Sequence, residues 1–257
     1  MKFVCIVCVY LMLAFPGIAA VANDVVVSPD VAKRWVKAID NDDTDTIHAL
    51  LQATAERRAL LSLTSETGKS ALMIGCKMGD EVLVRQLLAE GADAHQKTRT
   101  GGTPFMYASL GNHIPIARLL LEHKVDMNAQ GSNGWSATTL AAAKGFSGML
   151  VFLLDIGADK NAADVYGWTP LMRAVDNRHY TSVEMLLRES GIDLNVQSDT
   201  GNTALHIAAA NGDEKMLSML LATDIDRSVL NSQGSTAIQL AAALPNGGRL
   251  SELFSSD

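Results

Sequence analysis

Cysteine is nearly absent from the working part of this chain. Of three cysteines, Cys5 and Cys8 fall in the first apolar stretch, and only Cys76 lies beyond it. A single thiol excludes an internal disulfide framework, so stability has to come from packing. Long hydrophobic runs are scarce too: after residue 22 nothing resembles a spanning stretch of about 20 apolar residues. Positive charge is in deficit, with 21 basic residues against 28 acidic ones. That balance argues against nucleic acid and anionic membrane surfaces, both of which recruit basic patches. The marks of catalysis are missing as well. There is no phosphate-loop pattern Gly-x-x-x-x-Gly-Lys-Ser/Thr, and no serine sits in a strand-to-helix nucleophile elbow. The histidines are His48, His95, His113, His123, His179 and His206. No pair stands at ligand spacing with a cysteine or carboxylate on one helix face, whereas zinc needs three or four converging ligands. No catalytic, cofactor-binding or metal-binding residue is expected.

The start of the chain reads as a leader. Lys2 supplies a positive n-region, residues 3–15 form an uncharged apolar run, Pro16-Gly17 breaks it, and Ala20-Val21-Ala22 offers a small-x-small cleavage site before Asn23. The run is short for a bilayer-spanning helix, which is the competing reading. A signal peptide over 1–22 predicts a periplasmic or secreted protein with no membrane contact after cleavage. Cys76 would be its only thiol, read as a small buried hydrophobe rather than a nucleophile.

What the chain has in abundance is repetition. Gly68, Gly101, Gly134, Gly167, Gly201 and Gly234 recur at intervals of 33 or 34 residues, each followed two positions later by Ser or Thr and then Ala or Pro. A period of this size means a stacked solenoid. In the copy beginning at Thr100, Gly101 permits a turn with positive φ, Thr103 is an N-cap and Pro104 suits the first helical position. Small residues follow at Ala108 and Ser109. Pro115 opens a second helix, with Ile116, Leu119 and Leu120 at i, i+3 and i+4. Elsewhere the first helix carries Ala141-Ala142 or Ala208-Ala209, and the second closes on leucine pairs such as Leu87-Leu88 and Leu153-Leu154. Gly91-Ala92-Asp93 and Gly157-Ala158-Asp159 end two of the copies. One helix pair cannot bury its apolar face alone, so the array is the folding unit.

This pattern resembles the ankyrin repeat family, most closely at Thr203-Ala204-Leu205-His206-Ile207-Ala208-Ala209 and Thr169-Pro170-Leu171-Met172. The resemblance implies an all-α ankyrin solenoid of helix-turn-helix units with protruding β-turn fingers, about five to six repeats plus an N-terminal helical cap. The expected boundaries are a signal peptide at 1–22, a capping repeat and linker at 23–64, and an array at 65–257. Repeats fall near 65–97, 98–130, 131–163, 164–197 and 198–230, with a C-terminal cap at 231–257. Three further expectations concern departures from the pattern. Lys124 and Asp224 replace the helix-ending glycine, with Asp the better fit to positive φ. Residues 56–58 sit on an extended helix or an exposed turn. The last unit breaks at Pro245-Asn246-Gly247-Gly248, where Leu250, Leu253 and Phe254 cover the end of the stack.

The resemblance also implies a function: binding a protein through fingers and concave face, without catalysis. His206, the motif histidine, is expected to hydrogen-bond between neighbouring turns. Aromatic residues beside turn glycines, Trp135, Tyr166 and Trp168, are favoured anchors for a partner. Lys69 and Arg99 belong to the same finger series. Met78, Leu110, Lys144, Arg173, Asp176, Asn177 and Asn211 are expected on the concave side. The partner is a protein of unknown identity, suited by charge to be basic, and the chain itself is expected to be monomeric. An immunity protein or an accessory factor of a periplasmic enzyme in stress defence fits an exported array. A secreted effector that binds host proteins, or an enzyme with a site assembled across repeats, are the alternatives.

Overall fold

A computed structural model of the chain describes residues 27–55 and 57–255. The leader expected at 1–22, and Glu56, lie outside them. The described residues form fifteen helices and no strand. Seven antiparallel pairs follow in order: α1 (Pro29–Asp40) with α2 (Thr44–Ala53), then α4 (Ala71–Met78) with α5 (Glu81–Ala89), α6 (Pro104–Leu110) with α7 (Ile114–Glu122), and α8 (Ala137–Lys144) with α9 (Ser147–Asp155). The remainder are α10 (Pro170–Asp176) with α11 (Tyr180–Arg188), α12 (Ala204–Ala210) with α13 (Glu214–Leu221), and α14 (Ala237–Ala242) with α15 (Gly247–Leu253). A short α3 (Arg57–Leu61) links the first two pairs.

Each first helix starts where the repeat phase puts a hydroxyl. Ser70, Thr103, Ser136, Thr169, Thr203 and Thr236 all adopt extended backbone, and each side-chain oxygen accepts from the amide three residues on. Such caps satisfy an amide that the helix leaves without a partner. The small residues then let helices approach. Ala108, Ala141, Ala142, Ala174, Ala208 and Ala209 are fully buried, and a Cβ at Gly75 would stand 3.1 Å from Val84 Cγ2 on the second helix of its own pair. Of each leucine pair the first member, Leu87, Leu120, Leu153, Leu186 or Leu220, has no exposed surface. The core is thus a continuous ribbon running the length of the stack. Cys76 belongs to it, and burial pushes its thiol far above the ordinary cysteine range.

Between pairs the chain forms fingers. In each, the amide of the turn glycine donates to the carbonyl three residues back, as in Gly134 N to Gly131 O at 2.9 Å and Gly167 N to Asp164 O at 2.9 Å. One backbone hydrogen bond joins each finger to the next: Arg99 N to Thr67 O, Ser132 N to Thr100 O, Val165 N to Asn133 O, Asp199 N to Tyr166 O and Ser232 N to Thr200 O. Histidines add links at the other end of the first helices. His113 Nε2 meets Lys77 O at 3.1 Å and His179 Nε2 meets Ala143 O at 3.0 Å. His206 contacts Ser235 O of the next turn at 3.1 Å, in line with its expected role.

Three expectations are corrected. Asp224 does not take the left-handed backbone; Lys124 does, with φ 57. The reason is local: α13 ends at Leu221, and Thr223 Oγ1 donates to Leu220 O at 2.6 Å, closing the helix without a left-handed residue. The segment from Arg57 on is neither an extension of the preceding helix nor an exposed turn. It is the short α3, held by buried Leu60 and by Arg57 paired with Glu90 at 3.0 Å. The break at 245–248 is the turn inside a complete final pair. Gly247 begins α15, and a Cβ there would lie 2.3 Å from Ala242 O. Leu250 and Phe254 are buried and Leu253 packs beside them.

Candidate partner-binding surface

The site begins with one position of the finger, occupied by Ser65, Thr98, Gly131, Asp164, Ser198 and Asn231. Where the side chain carries an oxygen, it can accept from the amide four residues on, as in Thr98 Oγ1 from Gly102 N at 2.8 Å and Asn231 Oδ1 from Ser235 N at 3.1 Å. Asp164 does this for Trp168 N at 3.0 Å and also accepts from Tyr166 N at 2.9 Å. Its side chain has no exposed surface, so a counter-charge is required. Arg173 on α10 supplies it, with Nε 3.1 Å from Oδ2 and a second, shorter bond from NH2.

That ion pair places the guanidinium against two indoles. Arg173 lies 4.5 Å from the Trp168 ring centroid and 5.1 Å from that of Trp135. A planar cation over an indole face is a favourable arrangement. The two tryptophans, on adjacent fingers, are therefore half-buried and clamped to one side chain. Tyr166 stands apart from this stack at 61% exposure, beside Val165 at 54%. The equivalent tips of the other fingers are polar: Arg99-Thr100, Ser132-Asn133, Asp199-Thr200 and Ser232-Gln233.

Gly131 has no side chain to brace its finger, and Trp135 N turns instead to Asn133 Oδ1 at 3.1 Å. Beside it a cleft of about 330 Å³ opens between the second and third fingers, walled by Tyr107, Leu110, Trp135 and Leu140. Burial, with the nearby Asp42 carboxylate, pushes the Tyr107 phenol up, so it stays protonated.

The remaining expected site residues are dispersed. Met78 is exposed at 49%; Lys144, Arg99, Asp176 and Asn211 are exposed, and Lys69 is half-buried. Asn177 Nδ2 donates to Arg173 O at 2.8 Å, and Asn211 Nδ2 reaches Asp176 Oδ1 at 3.5 Å. Arg173 was expected as a contact residue, but the Asp164 ion pair and the two rings already occupy its guanidinium, so it acts as a clamp. Sequence reasoning missed Tyr107, Leu140 and Val165. The first two share the phase of Arg173, at 33-residue steps, so the same ruler that singled out Arg173 would have found them. Among the described residues no three His, Cys, Asp or Glu side chains could hold a metal ion, and no helix is long and apolar enough to cross a membrane.

Stacked helix pairs with a row of linked fingers define a helical repeat scaffold. The chain belongs to the ankyrin repeat family: the family's three-copy repeat pattern matches residues 35–131 and 123–198, and its many-copy pattern matches 177–221. The chain is similar to the putative ankyrin repeat protein YahD of Escherichia coli K12, at 24% identity over 73% of this chain and 94% of YahD. It is also similar to the human transient receptor potential cation channel subfamily A member 1, at 30% identity over 54% of this chain, which spans only 13% of that channel. The mouse B-cell lymphoma 3 protein homolog is 29% identical over 55% of this chain and 32% of its own length.

Proposed function

We propose that this chain is a non-catalytic scaffold that binds a partner protein outside the cytoplasm, as an immunity protein or as an accessory factor of an envelope enzyme. The observation that carries the binding reading is the fourth finger. Its tip places Val165 and Tyr166 in solvent where every equivalent tip is polar. Exposed aromatic and aliphatic groups that the stack does not need are suited to anchor a partner. The clamped Trp135 and Trp168 beside that tip offer rigid apolar area at little further ordering cost. The leader pattern at 1–22 supports export, and cell fractionation separates retention in the envelope from release as a secreted effector.

The binding test starts from the native cell envelope. The mature protein is purified with whatever accompanies it, the companion is identified, and the two are titrated in purified form. A Val165→Ser/Tyr166→Ser double variant should lose affinity by about tenfold or more while keeping its helical content, as expected for exposed anchor residues. Unchanged affinity would overturn the finger reading.

A further inference from the structure

The cleft between the second and third fingers lies one repeat before the Arg173 clamp. One phase of the repeat holds Lys69, Gly102, Trp135, Trp168, Asn202 and Ser235. Another holds Ile74, Tyr107, Leu140, Arg173, Ile207 and Leu240. At Arg173 two indoles of the first series, from its own finger and the preceding one, close over the residue of the second. One repeat earlier the residue is Leu140. Its own finger contributes Trp135, but the preceding finger contributes Gly102. One ring fewer closes over Leu140 than over Arg173, and Gly102, Trp135 and Leu140 all line the cleft. A Cβ at Gly102 would already stand 3.3 Å from Tyr107 Cε2, so the glycine keeps the cleft open.

The lining itself is uncharged, and two exposed cations stand near lining residues in the chain. Lys144 is exposed one helical turn beyond Leu140, and Arg99 is exposed at the tip of the finger that holds Gly102. Two carboxylates behind the cleft walls, Asp42 near Tyr107 and Asp164 behind Trp135, already have cationic partners. Asp42 pairs with Lys77 at 2.5 Å and Asp164 with Arg173, while exposed Asp176, at the end of α10, reaches Asn211 at 3.5 Å. Behind Trp135, Arg173 draws on the indole's π density, which disfavours a cation on the open face.

We propose that the cleft receives an aromatic side chain of the partner protein, carried on a segment rich in Asp and Glu. This rests on the binding-scaffold reading above and names the chemistry of what is bound. The incoming ring takes the place Gly102 leaves empty, stacks offset on Trp135 and covers Leu140, while flanking carboxylates meet Lys144 and Arg99. The chain as a whole is acidic, so long-range steering opposes such a segment. Lys144 and Arg99 act at close range, within a screening length of about 8 Å.

The test is a selection of random 12-residue displayed peptides on the mature chain, followed by titration of the enriched peptides in synthetic form. Enriched sequences should carry Trp, Phe or Tyr next to Asp or Glu and should quench tryptophan emission. Gly102→Trp, which supplies the missing ring from the chain itself, and Lys144→Glu, a surface change that leaves the fold intact, should each weaken binding by about tenfold or more. Melting curves check that Gly102→Trp folds, and Lys144→Glu decides the matter if it does not. Basic enriched peptides, no enriched peptide, or binding indifferent to Lys144→Glu would each overturn the cleft. Peptide binding that survives both variants but is lost in Val165→Ser/Tyr166→Ser would overturn the cleft and leave the scaffold reading standing. Failure of the scaffold reading itself shows separately, as an envelope companion indifferent to every finger variant.

Discussion

Single residues show how unevenly the repeat tolerates change. Gly134 and Gly234 occupy the same finger position with φ 77 and 73. A Cβ at Gly134 would lie 2.6 Å from Asp164 Cα, whereas at Gly234 it meets nothing within 4 Å. Gly234→Ala should therefore cost only the left-handed backbone, about 1 kcal/mol, and Gly134→Ala about 2–3 kcal/mol because the neighbouring finger has to move. Urea midpoints of the two variants compare them directly. Thr138 offers the opposite case. It is 1% exposed, and its Oγ1 finds no hydrogen-bond partner among the described residues. The equivalent positions hold Leu72, Phe105, Leu171 and Leu205. Thr138→Val keeps the shape, removes the stranded hydroxyl and should raise stability by about 1 kcal/mol. An unchanged or lowered urea midpoint would contradict that account.

At the scale of the element, the unit is a finger with the helix that follows it. Asp164, Trp168 and Arg173 belong to one such unit, and Trp135 reaches in from the previous one. Arg173→Ala strips a buried carboxylate of its counter-charge and releases two indoles. The expected loss is about 2 kcal/mol, tempered by the two amides that still serve Asp164. Arg173→Lys should recover part of that stability, since the charge returns, but not the ring packing, since an ammonium lacks the planar fork. Near-ultraviolet circular dichroism separates the two effects: both variants should lose the indole signal while far-ultraviolet spectra stay the same. A retained indole signal in Arg173→Ala would show that the rings hold each other without the clamp.

At the scale of the whole molecule, stability is a sum over neighbouring pairs, and the links between them set its response to conditions. His206 is such a link. Burial holds its pKa below the ordinary histidine value, while its contacts with backbone carbonyls oppose that shift. Nε2 donates to Ser235 O and Nδ1 faces Thr203 N at 3.3 Å, an arrangement that suits the neutral ring. The unfolded chain, with a histidine pKa of about 6.5, binds the proton first. Stability is thus level above that pH in this respect and falls as pH drops from it toward the lower folded value. His206→Gln should be less stable at pH 7.5 but should lose less on going to pH 5. Equal losses in the two proteins would assign the acid sensitivity elsewhere.

The 33-residue glycine rhythm was enough to assign caps and buried alanines and leucines, because each depends on local backbone geometry that repeats with the sequence; the resemblance to ankyrin repeats added the finger tips and the link made by His206. The rhythm also led to Trp135, Tyr166 and Trp168, each beside a turn glycine, as residues the stack does not require. Only the tertiary structure decided that Trp135 and Trp168 form one clamp with Arg173 and that Tyr166 stands outside it. It likewise decided that Lys124 rather than Asp224 takes the strained turn, and that Gly102 leaves a cleft. The physical reason is the same in each case. A side chain's rotamer, or a turn's closure, is settled by what the adjacent repeat places some 33 residues away, and by which alternative hydrogen bond is within reach. Periodicity states that a neighbour exists at that distance; packing determines what the two do together.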